Sequence, residues 1–161
     1  MENSKRNLFQ GILKKDESQP PLRPPYSPEN DFLFTEKCPT CDGICATVCE
    51  ENIIKIVDKA PQICFSESGC TYCEECLTIC EKNILNMDNP QNIKGKIELN
   101  ILNCVAWHSI ICSSCRDSCL DGAIKFLGMF RPEIDLSKCT NCGFCIATCP
   151  SQAIDITALR V

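Results

Sequence analysis

Apolar residues recur along this chain at fixed distances from its cysteines. The stretches EENIIKI after Cys49, EKNILNM after Cys80, LDGAIKF after Cys119 and PSQAIDI after Cys149 are apolar at their fourth, fifth and seventh positions. A short turn followed by alternation reads as a strand with one buried face. The segments ahead of two runs alternate too: Ile97, Leu99 and Ile101 before Cys104, and Ile134 and Leu136 before Cys139. The pattern predicts one unit, strand, cysteine loop with a short helical turn, strand, written four times. The class is α+β, with units over 31–60, 61–90, 91–130 and 131–161. DNPQNIKGK, residues 88–96, is the turn-rich connection between the second and third. Half of the ten prolines lie from Pro20 to Pro28, so residues 1–30 are predicted to form an extended, proline-rich arm.

Composition changes what must hold these units together. Of 161 residues, 44% are hydrophobic, but 17 are cysteine, and without those about a third remains for a core. A core that thin needs staples. A disulfide framework calls for export, and the Lys5-Arg6 pair with Leu8, Phe9, Ile12 and Leu13 is followed by KKDESQPPLRPPYSPEND rather than an apolar stretch. The cysteine number is odd, and the cysteines cluster within single turns. The expectation is a cytoplasmic chain that keeps its thiols for metal and does not span a membrane.

Cys70, Cys73, Cys76 and Cys80, and again Cys139, Cys142, Cys145 and Cys149 followed by Pro150, have the spacing of a bacterial [4Fe–4S] ferredoxin run. Three thiolates at every third residue reach three corners of one cubane, and the fourth serves another. A zinc site draws four ligands round one small ion, usually from two separated CxxC pairs, so the compressed spacing favours the cubane. The expected architecture is thus a polyferredoxin of bacterial-type [4Fe–4S] modules. Cys38, Cys41, Cys45 and Cys49 form a run with one extra residue, in a gap where Gly43 absorbs it. In the third unit Cys112, Cys115 and Cys119 keep the spacing, and the first ligand stands apart. Cys104 follows its strand as Cys139 does, which makes it that ligand. Cys64, between Ile63 and Phe65, reads as a partly buried structural thiol and not a ligand. The intervening VAWHSII holds Trp107, read as a lid, and His108, read as a loop residue and not a ligand. The turn Arg116-Asp117-Ser118 is polar where the others are ATV, LTI and IAT, which predicts a wetter third site. Three to four clusters per chain are expected, with four preferred. Which runs exchange their last cysteine stays open between sequential pairing (first with second, third with fourth) and nested pairing (first with fourth, second with third).

The formal charge is −5, with residues 1–25 at +2 and the remainder at −7. Oxidised clusters of about −2 each would carry that remainder to roughly −15. Nucleic acid is an unsuitable partner for such a surface. The stretched third run ending CSSCRDSC, Glu after Cys49 and Cys80, and LRPPYS in the arm resemble the NapF family. These are ferredoxin-type accessory proteins of periplasmic nitrate reductase systems, and the first run departs from their pattern by its extra residue. The resemblance implies a cytoplasmic iron–sulfur protein that assists maturation of the molybdenum-containing catalytic subunit before export, with that precursor as partner and membrane-associated redox proteins as further partners. The alternative is a generic electron carrier between a quinol or ferredoxin donor and a reductase. No phosphate-cradling glycine loop or nucleophile–base pair supports an enzyme, and no catalytic residue is assigned.

Overall fold

The computed structural model describes residues 19–159; of the predicted arm, residues 1–18 lie outside it. Two modules follow one another. The second has the full set of strands: β3 (Gly95–Leu99), the third run with α4 (Ser114–Asp117), β4 (Ile124–Phe126), β5 (Pro132–Ile134), the fourth run with α5 (Phe144–Ala147), and β6 (Ile154–Ala158). Its strands pair antiparallel, β3 with β6 from Gly95↔Ala158 to Leu99↔Ile154, and β4 with β5 from Ile124↔Ile134 to Phe126↔Pro132. The first and last strands of the module thus close it around the two cysteine loops.

The first module differs from the four-fold strand repeat at both ends. Its inner hairpin forms, β1 (Ile54–Val57) with β2 (Ala60–Ile63), across Asp58-Lys59, both at positive φ as a tight two-residue turn requires. Where an outer strand should precede the first run stands a helix, α1 (Phe32–Lys37), and no strand follows the second run before β3. The proline strip takes the vacated place. Leu22 C=O accepts the Ile63 N–H, Asn86 N–H donates to Tyr26 C=O, and Tyr26 N–H donates to Pro90 C=O. Pro24 and Pro25 are fully buried and have no N–H, so the strip covers the module without building a ladder. The Arg23 guanidinium stacks over Phe34 at 4.5 Å and pairs with Asp31, pinning α1 to the strip. Residues 22–27 therefore belong to the first module's core, with Leu22, Tyr26 and Ser27 all buried.

The turn after each run is the same. The third residue past the last cysteine (Asn52, Asn83, Gly122, Gln152) has positive φ and its N–H returns to that cysteine's carbonyl. The next two residues then point inward: Ile53 and Ile54, Ile84 and Leu85, Ala123 and Ile124, Ala153 and Ile154 are all buried. The seventh position fares differently: Ile56, on β1, and Met87, in a turn, are both exposed. The modules share Ile146 and Ile156, which pack on both cores. Among the described residues no helix is long and apolar enough to cross a membrane.

Candidate metal centres

Each run places its third cysteine on a single helical turn: Cys45 on α2 (Ile44–Thr47), Cys76 on α3 (Glu75–Thr78), Cys115 on α4 and Cys145 on α5. Gly43, at φ +70°, starts α2 and takes up the extra residue of the first run. Helix α2 packs on α3, and α4 on α5, so the runs meet in pairs.

The structure brings the sixteen run cysteines together in four cages. Cys38, Cys41 and Cys45 line a hollow with Cys80. Cys70, Cys73 and Cys76 line another with Cys49. Cys139, Cys142 and Cys145 are joined by Cys119. Cys104, Cys112 and Cys149 pack together, with Cys115 beside all three. Numbered by the run that gives three thiols, these are the first, second, fourth and third cages. Each takes its last cysteine from the other run of its module, so the pairing is sequential. Nothing in the spacing could have decided this, since runs about equally spaced along the chain allow either pairing.

Cys104 is buried in the third cage, while Cys64, expected to be partly buried, is instead exposed, lies outside all four and contacts Ser66. His108 Nε2 lies 2.9 Å from the Leu102 carbonyl, which ties the ring to its own loop. Trp107 packs beside Cys104 and Cys149, donates from Nε1 to Pro132 C=O and carries Arg131 over its ring. It walls the third cage as a lid would. The polar turn of the third run is solvated: Arg116 and Asp117 are exposed, and Ser118 bonds Thr148, the residue that caps α5.

The surroundings of the thiols fit a cationic core held by thiolates. Burial, reinforced by neighbouring cysteines, pushes Cys76 and Cys145 up to about 12 and Cys45 to about 11. Cys70 and Cys115 rise to about 11, mainly by burial, against one opposing backbone N–H each. Thiolates in such places are stable only around positive charge, so loading a cage must expel protons. Backbone N–H groups of Tyr72, Ala123 and Ala153 already point at the sulfurs of Cys70, Cys119 and Cys149. At Cys149 burial is outweighed by such bonds, and its pKa falls. Among the described residues, no three His, Cys, Asp or Glu side chains are grouped as a single ion would need. The donor set of each cage, four cysteine thiols, fits a four-iron, four-sulfide core.

The family described as 4Fe-4S binding domain matches residues 131–154, which hold the fourth run. The chain is 32% identical over 165 residues to "Ferredoxin-type protein NapF" of Haemophilus influenzae, covering 99% of this chain and 86% of that protein. Its namesake in Escherichia coli K12 is 29% identical over 158 residues, 94% of this chain and 92% of that one. "Methylamine utilization ferredoxin-type protein MauM" of Methylorubrum extorquens is 29% identical over 151 residues, 80% of this chain and 67% of that protein.

Proposed function

Because the chain belongs to the family of ferredoxin-type NapF proteins, we propose that it is a cytoplasmic electron-transfer accessory protein. In this reading it assists maturation of the molybdenum-containing catalytic subunit of a periplasmic nitrate reductase before that subunit's export. The observation that carries it is the set of four complete cysteine cages in one body, read together with the stretched third run and the RPP-aromatic strip. Each cage would hold one [4Fe–4S] cluster, which supplies one-electron redox capacity when bound. The chain itself positions four thiolates per cage, directs N–H groups at three of the sulfurs and screens the cages with buried isoleucine, leucine and alanine. It acts as a carrier and not as an enzyme.

Affinity capture of the holoprotein from cytosol tests the reading. It should bring down the unprocessed nitrate reductase precursor, and recovery of mature redox enzymes alone would refute maturation. Deleting residues 1–18 is the matching test of the arm, because residues 22–27 are built into the core and cannot be removed without damage to it. Precursor capture should weaken while the visible spectrum stays unchanged. A second reading, a generic carrier, is favoured by the likeness to a ferredoxin-type protein of methylamine utilization, since a similar chain serves there under another name. The same capture experiment separates the two.

A further inference from the structure

The two modules meet at the second and fourth cages. Cys70 donates its N–H to the carbonyl of Cys142 at 2.6 Å, and each of these residues gives a thiol to its own cage. From sulfur to sulfur the route runs through Cβ, Cα and the N–H of Cys70, one hydrogen bond, and the carbonyl, Cα and Cβ of Cys142. Two residues on, the Tyr72 hydroxyl donates to the Thr140 carbonyl and receives the Ile93 N–H at 3.4 Å. Gly143 lies against the Phe65 ring, so closely that a Cβ there would fall on it. Within each module the adjacent cages face through the paired helices α2 with α3 and α4 with α5. The first cage, with Cys45 on α2, is lined only by residues of the first module, and the third is surrounded only by residues of the second.

We propose that this junction fixes a linear order of the four cages, first, second, fourth, third, and that Cys70 and Cys142 join the modules electronically, with Tyr72 as a positioning residue. The proposal rests on the reading of the chain as an electron carrier and goes beyond it. The terminal points become the first cage and the Trp107-walled third cage, so donor and acceptor, each a one-electron redox partner, would use opposite ends. Passage across the junction would be a one-electron exchange: what one loaded centre lost its neighbour would gain, with no bond broken and no proton moved.

Electron paramagnetic resonance of the dithionite-reduced holoprotein tests the order. The Cys38→Ala/Cys41→Ala double variant removes the first cage, and its remaining centres should all stay spin-coupled, because the second still abuts the fourth. An isolated, uncoupled cluster signal in that variant would overturn the order, since it is what two independent modules give. Removing the second cage with Cys73→Ala/Cys76→Ala should produce that isolated signal, and its absence would also overturn the proposal. Tyr72→Phe keeps every cysteine and guards against loss of the fold. Its iron and sulfide should equal wild type, while the half-saturation power of the coupled signal falls; no change in relaxation would remove Tyr72 and the junction from the argument. A wild-type protein that takes up no [4Fe–4S] clusters would sink the carrier reading itself. A loaded wild type with an uncoupled first-cage variant sinks only the order.

Discussion

Cys64 and Cys104 are the two cysteines outside tight runs, and their surroundings set their chemistry apart. Cys104 is buried among Ala106, Trp107, Cys112 and Cys149, whereas Cys64 is exposed beside Ser66. Iron and acid-labile sulfide in Cys104→Ser should each fall from about 16 to about 12 per chain, and Cys64→Ser should leave both unchanged. A loss at Cys64 instead would mean that the third cage takes its first ligand elsewhere. Tyr26 offers a readout of the strip. Its hydroxyl donates to the Glu74 carboxylate at 2.6 Å, and that bond, with burial and the carboxylate's charge, raises its pKa from 10.0 to about 12. A raised folded pKa means the neutral phenol is favoured by folding. That contribution is complete below pH 10 and lost as pH rises through about 12. Difference titration at the tyrosinate band should show a step near pH 12 that Tyr26→Phe abolishes; a Tyr26 step near pH 10 instead would contradict the Glu74 bond.

At the scale of elements, the sequence pattern treats the fourth and seventh positions after a run as equals, and packing separates them. Ile84 is 3% exposed and Met87 63%. Ile84→Ala should cost about 2–4 kcal/mol through the cavity it leaves. Met87→Ala should stay within about 0.5 kcal/mol. Anaerobic guanidinium unfolding, followed by loss of visible absorbance, compares them, and equal midpoints would refute the packing distinction. The turn and the buried pair after each run were legible because both are local, set by three residues and a positive φ. The missing outer strands of the first module were not. Ile84, Leu85 and Met87 alternate as well as Ile154 and Ile156 do, but a strand needs a partner. The segment that arrives, Leu22 to Tyr26, holds two prolines and cannot donate along a ladder. FLFTEK is then free to coil as α1, with Phe34 turned into the core.

At the scale of the molecule, spacing identified which cysteines group within a run, while the exchange between runs depends on helices that meet only in the fold. That is why pairing stayed open in the sequence and closed once α2 met α3 and α4 met α5. The same tertiary step joins the modules and sets the field that a partner meets. The chain carries −5, its acidic excess lying beyond residue 25, and four loaded cages would add about −8 in the oxidised state. Three of the surface basic groups, Lys96, Lys125 and Arg116, each stand beside a carboxylate of Glu98, Asp135 or Asp117. A partner must therefore present a basic face, and encounter is steered by long-range attraction that added ions screen. Raising sodium chloride from about 50 to about 300 mM should slow association of the holoprotein with the proposed precursor by roughly tenfold while dissociation changes little. Surface plasmon resonance under anaerobic conditions separates the two rates. An association rate indifferent to salt would mean that an apolar contact, rather than the charge of the loaded cages, brings the partner in.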